Sequence, residues 1–262
     1  MPNEARQIMV AAHRGNSVLC PENTMAAFRS AAVMDVDQIE LDLHMTRDGS
    51  IIVMHDGKVD RTTDGTGLVR DFRFDEIRRL DAGSRKDDRF RGEKVPAFEE
   101  FLELMKDHPR LTANVELKDY PEDDAEWAFL SAEKALDLLE KYGMTDRIWI
   151  NSWSAVLLRW VDRRYGRHVI RLHGYYPLSC YKPGWTGDPM EILHSCCLWC
   201  RDRILPREDF DLVRSRSVEP WIFAHRDTDE FYSEAASRGI AAITTNDPAG
   251  CMEWMREHHF RR

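Results

Sequence analysis

The segment IELDLH, residues 39–44, alternates acidic or polar residues with aliphatic ones. Successive side chains of an extended strand point to opposite faces, so Glu40 and Asp42 share one face and the aliphatic side chains share the other. A second short apolar run, residues 51–54, ends at His55. Carboxylates are hard oxygen ligands for divalent cations, and an imidazole transfers protons near neutral pH. These residue types together indicate metal-assisted acid–base chemistry.

Residues of the same chemical kinds follow two other predicted strands. His13 and Arg14 follow the first strand, and Glu116 and Lys118, two residues apart and so on one face, end a later one. With the pair in the second strand, Glu116 would complete a three-carboxylate site that suits Mg²⁺, Ca²⁺ or Mn²⁺. The positively charged side chains of Arg14 and Lys118 would offset the negative charge of a phosphate, Arg14 through its planar guanidinium group and Lys118 as a point charge. Each residue alone also fits a half-exposed strand or loop, but their joint placement favours a site.

Strands and helices alternate along the whole chain. The predicted strands are 8–12, 38–43 with a companion at 51–54, 111–117, 147–151, 168–173, 196–200, 217–224 and 240–245. Repeated strand–helix units imply parallel strands, and about eight of them predict a closed (β/α)8 TIM barrel. Active sites of such barrels lie at the C-terminal ends of the strands, where the polar residues above fall. The length of 262 residues suits one such domain covering residues 1–262.

The segment from about residue 57 to residue 94 is polar and glycine-bearing, with only short helical pieces. It is too long for an ordinary connection between a strand and a helix, which favours a functional insertion or lid after the second strand. Its motif TDGTGLV lacks the strand-then-helix context of a nucleotide loop. We therefore interpret Gly65 and Gly67 as turn residues.

Composition narrows the class of partner. The formal charge of −9 argues against general binding to nucleic acid or anionic membranes. Residues 1–15 show no secretory signal, and no stretch approaches the roughly 18 uncharged apolar residues of a membrane span. We therefore expect a cytoplasmic protein without stable membrane insertion that acts on a small molecule. Its oligomeric state stays open.

Six cysteines are scattered along the chain. Because the sequence shows no export signal, they do not predict a disulfide framework. Cys197 and Cys200 have the CxxC spacing of redox and zinc sites, but a second such pair is missing. We expect free thiols in the core or in loops, and the roles of Cys196, Cys197 and Cys200 stay open.

The chain resembles the glycerophosphodiester phosphodiesterase family in a series of motifs that occur in order. These are AHRG (12–15), PENT (21–24), IELDLHMTRDG (39–49), VMHD (53–56), DRTTDGTG (60–67), LDAGS (80–84), VELK (115–118) and GIAAITTNDP (239–248). The likeness is dense over about the first 120 residues and sparser after them. It implies a TIM barrel with a small inserted subdomain, matched to about residues 57–94.

The resemblance also implies divalent-metal-dependent hydrolysis of a glycerophosphodiester to sn-glycerol 3-phosphate and an alcohol. The matched positions are His13 and His55 as catalytic residues, Glu40, Asp42 and Glu116 as ligands of one Mg²⁺ or Ca²⁺, and Arg14 and Lys118 as phosphate contacts. We expect His13 to act as the base and His55 as the acid. Direct attack by water and formation of a cyclic phosphate both stay open.

The second half departs from the family pattern, so the preferred alcohol stays open. The seventh barrel strand reads WIFAH (221–225), and residues 175–203 do not align. We expect Trp153 and Trp221 at the substrate pocket, and His44 in a loop near the rim outside the site. The alternatives are a related phospholipase D-like enzyme acting on lysophospholipids, an unrelated metal-dependent barrel enzyme, and a binding protein without turnover.

Overall fold

The computed structural model describes residues 7–166, 169–199 and 203–261. Its strands are β1 (Met9–His13), β2 (Gln38–Met45), β3 (Ile51–Val53), β4 (Thr112–Leu117), β5 (Ile148–Asn151), β6 (Arg171–Tyr176), β7 (Ser195–Leu198), β8 (Glu219–Ala224) and β9 (Ala242–Thr245). Its α-helices are α1 (Met25–Val33), α2 (Phe74–Ile77), α3 (Phe98–Asp107), α4 (Pro121–Tyr142), α5 (Ala155–Tyr165), α6 (Arg207–Ser215), α7 (Asp229–Ser237) and α8 (Pro248–Glu257). Short 3-10 helices lie at Val69–Asp71, Asp88–Phe90, Thr145–Arg147, Leu178–Cys180 and Pro189–Glu191.

The sheet closes into a barrel of eight parallel strands, because β1 pairs in parallel with both β2 and β9. The order around the barrel is β1, β2, β4, β5, β6, β7, β8 and β9. Strand β3 pairs antiparallel with β2 outside this ring. The predicted (β/α)8 TIM-barrel fold is confirmed. All eight barrel strands therefore direct their C-terminal ends to one mouth.

Every residue of β2 is buried, although half of them are polar. Ile39, Leu41 and Leu43 belong to the main apolar core, which also contains Phe28 of α1 and Phe101 of α3. The alternate side chains point into the barrel, since neighbouring residues of a strand face opposite ways. The main apolar core thus lies between strands and helices, whereas the barrel interior combines these polar groups with a separate apolar cluster of Trp149, Trp221 and Ala242.

The segment 57–94 has an apolar cluster of its own. Val59, Val69 and Ile77 pack with Ile52 and Met54, away from the main core. Its glycines serve the backbone: Gly67 has φ of +130°, a region that glycine enters without strain. The segment lies beside the mouth of the barrel, because β3 and the residues after it follow directly from the end of β2.

Several predicted boundaries differ from the structure. His44 was expected in a loop, but β2 continues to Met45 and His44 pairs with Ile52 of β3, so it is a buried strand residue. The predicted strand at 168–173 begins at Arg171, and residue 168 lies outside the described part of the chain. Helix α4 begins at Pro121 and has a kink at Asp124, whose φ is −161°. Within the described residues, no helix is both long and apolar enough to cross a membrane.

Thr24 caps the N-terminus of α1 directly after the PENT motif. Its hydroxyl accepts from the Ala27 amide at 3.3 Å and donates to the Pro21 carbonyl at 2.7 Å. We expect Thr24→Ala to lower the free energy of unfolding by about 1 kcal/mol, since a first-turn amide loses its partner. Urea denaturation measures this, and Thr24→Ser, which keeps the hydroxyl, should retain most of the stability. Equal midpoints for Thr24→Ala and the parent protein would contradict the capping role.

Candidate active site

Three carboxylates from two adjacent strands meet inside the mouth of the barrel. Glu40 and Asp42 project from β2, and Glu116 projects from β4, where it lies in register with Asp42. All three side chains are buried, and one oxygen of each lies within 4.8 Å of the others. The cluster follows from the parallel pairing of β2 with β4, which brings together residues 74 positions apart in the chain (116 − 42).

Two positively charged side chains from the ends of neighbouring strands lie beside the carboxylates. Lys118 Nζ lies 2.9 Å from Glu116 Oε1 and 3.4 Å from Asp42 Oδ1. Arg14 Nε lies 3.4 Å from Asp42 Oδ2, and the Arg14 amide donates to Glu40 Oε2 at 3.0 Å. Burial opposes ionisation of Asp42, but Lys118 and Arg14 hold its pKa below the usual value. Burial and the charge of Asp42 raise the pKa of Glu40 well above its usual range.

The donor set fits a divalent cation. Three buried carboxylates converge on one point. Among the described residues, none donates a hydrogen bond to Asp42 Oδ1, and Lys118 Nζ lies at ion-pair distance from it. Carboxylate oxygens are the ligands that Mg²⁺ and Ca²⁺ take in proteins. A cation at this point would also relieve the mutual repulsion of the carboxylates, which burial strengthens.

Three further side chains hold the carboxylates, and the sequence analysis missed them. Asn23 Nδ2 donates to Asp42 Oδ2 at 2.7 Å, and the hydroxyls of Tyr120 and Tyr175 donate to the two oxygens of Glu116 at 3.2 and 3.3 Å. The sequence did contain a signal for Asn23, because this residue lies in the PENT motif. Its backbone φ of +55° is a value that asparagine tolerates. The tyrosines had none, because their contacts depend on the barrel. Such outer partners orient metal ligands.

His13 ends β1 at the rim of the cluster. Its Nδ1 donates to Asn246 Oδ1 at 2.7 Å, and its Nε2 lies 3.8 Å from Glu40 Oε2. Burial and the nearby charge of Arg14 lower the pKa of His13 to about 4. The ring is therefore neutral in the metal-free protein at neutral pH, with its Nδ1 hydrogen held by a neutral amide.

His55 follows β3 and has a different partner. Its Nδ1 donates to Asp56 Oδ1 at 2.6 Å. Arg61 binds both oxygens of Asp56 and also both oxygens of Glu22, so the segment 57–94 is joined to the loop before α1. The Arg61 contact, with the hydrogen bond from His55, lowers the pKa of Asp56. The His55 ring is therefore oriented through Nδ1 by a carboxylate, whereas the His13 ring is oriented by a neutral amide.

Two cavities meet at His55 and Lys118, which line both of them. The inner cavity, about 200 Å³, lies over the carboxylates and has aromatic walls that include Trp153 and Phe223. The outer cavity, about 510 Å³, lies between the segment 57–94 and the first turns of α4, with Trp127 in its wall. A group placed against both His55 and Lys118 would therefore have space on each side.

Trp221, expected at the pocket, does not line it. Its ring is buried against Trp149 and His173, with ring centres 5.7 and 4.5 Å away. Inward-facing residues of a barrel stack in layers, and Phe223, two positions further along β8, occupies the layer at the mouth instead. The expectation for Trp221 is wrong because it falls one layer too deep.

Five cysteines lie in the described part of the chain, and one of them, Cys197, lines the inner cavity. Cys20, Cys180, Cys196, Cys197 and Cys251 are free thiols. Cys196 and Cys197 lie in β7, and burial raises the pKa of Cys197 to about 12, which keeps the thiol protonated. Cys200 lies outside the described residues, so the CxxC spacing is not tested.

A model of the Glycerophosphoryl diester phosphodiesterase family matches residues 13–181. The glycerophosphodiester phosphodiesterase of Caldanaerobacter subterraneus subsp. tengcongensis is 40% identical over 257 residues, which cover 95% of this chain and 98% of the relative. The chain belongs to the glycerophosphoryl diester phosphodiesterase family. It is accordingly a phosphoric diester hydrolase.

Solved structures of phosphodiesterases have the same fold. A glycerophosphodiester phosphodiesterase from Agrobacterium tumefaciens has a TM-score of 0.74 and 23% identity, covering 94% of this chain and all 100% of its own. An Oleispira antarctica phosphodiesterase in complex with the product sn-glycerol-3-phosphate has a TM-score of 0.82 and 20% identity, covering 95% and 97%. At these identities the likeness supports the barrel fold of this family member.

Proposed function

We propose that this enzyme hydrolyses glycerophosphodiesters to sn-glycerol 3-phosphate and an alcohol, and that His13 and His55 transfer the protons. Family membership supports the class of reaction. The observation that carries the detailed assignment is the contrast between the two imidazoles beside one carboxylate cluster. His13 is held by a neutral amide, and His55 by an ionised carboxylate.

This contrast supports opposite roles. His13 is bound at Nδ1 by Asn246, so its Nε2 is free of hydrogen and accepts a proton from the attacking oxygen. His55 is held at Nδ1 by the carboxylate of Asp56, and we assign its Nε2 the donation of a proton to the departing alkoxide. Arg14 and Lys118 would offset the charge of the phosphate between the rings.

Glu40, Asp42 and Glu116 would hold one divalent cation, Mg²⁺ or Ca²⁺. When bound, the cation would supply Lewis-acid polarisation of a phosphate oxygen and a template for in-line displacement. The chain's own contribution is to orient the carboxylates through Asn23 and Tyr175, and to keep the cluster buried.

The two cavities would divide the substrate at the phosphorus atom. A phosphate that contacts both His55 and Lys118 lies at their common boundary, so the two alcohol groups extend to opposite sides. The inner cavity of about 200 Å³ suits the small glycerol half, beside the ring of Trp153. The outer cavity of about 510 Å³ suits leaving alcohols of various sizes.

A coupled assay for glycerol 3-phosphate tests the proposal. We expect release from glycerophosphocholine, glycerophosphoethanolamine or glycerophosphoglycerol, loss of activity after chelation, and recovery when Mg²⁺ or Ca²⁺ is added back. A parallel assay with lysophosphatidylcholine distinguishes the phospholipase D-like alternative, since that substrate carries an acyl chain. Release of choline from lysophosphatidylcholine, with no glycerol 3-phosphate from any glycerophosphodiester, would overturn the proposal.

A further inference from the structure

His44 lies behind His55 and contacts its backbone. The His44 ring is buried, with only 6% of the residue exposed. Its Nδ1 donates to Asp119 Oδ1 at 2.7 Å, and its Nε2 donates to the carbonyl oxygen of His55 at 3.3 Å. Both partners are oxygen acceptors, one a side-chain carboxylate and the other a backbone carbonyl. The ring thus connects a fixed carboxylate to the backbone of a residue in the active site.

Asp119 is itself held in place by two other elements. Its Oδ2 accepts from the Met45 amide at the end of β2, at 3.0 Å, and from the Ser131 hydroxyl of α4, at 2.7 Å. It directly follows Lys118 at the end of β4. The ends of β2 and β4 and one turn of α4 are therefore joined through one carboxylate, whose other oxygen holds His44.

From these contacts we infer that His44 is a positioning residue for His55: it fixes the backbone from which the His55 ring projects toward the reacting phosphate. The effect on turnover rests on the proposed function, whereas the contacts of His44 do not depend on it. The His55 ring is fixed at Nδ1 by Asp56, and that bond sets its direction only if the backbone is also held. The carbonyl bond from His44 supplies this second point.

Turnover should therefore depend on His44, although its side chain does not touch the substrate phosphate. A displacement of about 1 Å in a catalytic group can lower a rate by roughly 100-fold, because proton transfer requires close approach. His44 lines the outer cavity and not the inner cavity, which lies over the carboxylates. Its loss should therefore lower kcat more than it raises KM.

Two amide substitutions separate the bonds of His44. In His44→Gln the side-chain NH₂ falls near the position of Nε2 and can still donate to the His55 carbonyl. In His44→Asn the NH₂ falls near the position of Nδ1 and keeps only the Asp119 bond. We expect kcat of His44→Asn to fall about 10- to 100-fold, with KM and the affinity for the divalent cation nearly unchanged, and His44→Gln to recover at least about 10-fold of that loss.

Ser131→Ala is the matched control, because it removes a bond of Asp119 without touching His44 or His55. Thermal unfolding of all three variants separates stability from turnover. Equal kcat for His44→Asn and Ser131→Ala at similar stability would overturn the inference, since His44 would then be only structural. So would equal kcat for the two amide variants.

A second readout does not depend on the substrate. In ¹⁵N-histidine NMR spectra, the ring signals of His55, identified by their absence in His55→Gln, should shift or broaden in His44→Asn but not in Ser131→Ala. If the parent enzyme releases no glycerol 3-phosphate, the proposed function fails, yet this spectrum still decides the positioning role. Unchanged His55 signals in His44→Asn would contradict that role in either case.

Discussion

Replacing His13 or His55 with alanine is expected to lower kcat for the preferred glycerophosphodiester by roughly 2–4 orders of magnitude. Each ring would carry one proton transfer, and water in its place lacks both the position and the basicity of the imidazole. Their Nδ1 partners differ, Asn246 for His13 and Asp56 for His55, so the two variants should also differ in their dependence on the leaving alcohol. A substrate with a more acidic leaving alcohol needs less help from an acid, and should restore more of the rate to His55→Ala than to His13→Ala.

Initial-rate assays with two substrates, one with a choline and one with a nitrophenyl leaving group, measure this contrast. His108→Ala is a suitable control, because His108 ends α3 just before β4 and so lies at the opposite end of the barrel. It should leave both rates unchanged. Near-normal turnover in both active-site variants would show that neither imidazole transfers a proton, and equal rescue of both would contradict the assignment of base and acid.

Asp42→Asn is expected to abolish stabilisation by the divalent cation and to lower kcat by at least about 100-fold, since the cation would supply several kcal/mol of charge stabilisation. Asp42 is the most deeply buried of the three carboxylates, at 1% exposed, and no residue in the described part of the chain donates a hydrogen bond to its Oδ1. A ligand present at 100 times its Kd stabilises the folded protein by about 2.7 kcal/mol, so the parent enzyme should show a clear rise in Tm with Mg²⁺ or Ca²⁺.

The difference in Tm with and without the cation is the quantity to compare, because Asp42→Asn also changes the metal-free protein. Lys118 and Arg14 each lose a partner in this variant. Asp75→Asn is the control: Asp75 lies in α2 with 59% of its side chain exposed, and should keep the full metal-dependent rise. A rise in Tm of Asp42→Asn equal to that of the parent would contradict a cation at this cluster.

The pairing of Lys118 with the carboxylates bears on both predictions. Lys118 Nζ contacts Glu116 and Asp42 while lining both cavities. Surrounding carboxylates, acting against burial, raise the pKa of Lys118 above its usual value, so the ammonium stays charged. It can therefore offset phosphate charge at neutral pH. A divalent metal ion bound by the carboxylates would leave more of the positive charge of Lys118 available to the phosphate.

Much of the site could be predicted from the sequence, because its signal is local. Glu40 and Asp42 fall on one face of a strand for a reason that involves only neighbouring residues. The parallel barrel follows from repeated strand–helix units, and with it the rule that strand ends share one mouth. Motif order then related His13, His55 and Glu116 to a known family. None of these steps needed a distance between remote parts of the chain.

The partners that tune the site could not be predicted in this way. Asn246 holds His13 from 233 positions away, and Asp119 holds His44 from 75 positions away. Both contacts depend on the register of paired strands and on the side from which loops return, and residue type does not specify these. The wrong expectations have the same origin: Trp221 was one barrel layer too deep, and His44 belonged to a longer strand.

The sequence by itself determined the class of chemistry and the fold, because periodicity and motif order record which residues share a face. Only the tertiary structure decided which hydrogen-bond partner each imidazole has, which aromatic rings form the pocket, and that two cavities meet at His55 and Lys118. These features depend on distances of a few ångströms between strands that are remote in the chain. Closure of the barrel, through the pairing of β1 with β9, sets those distances.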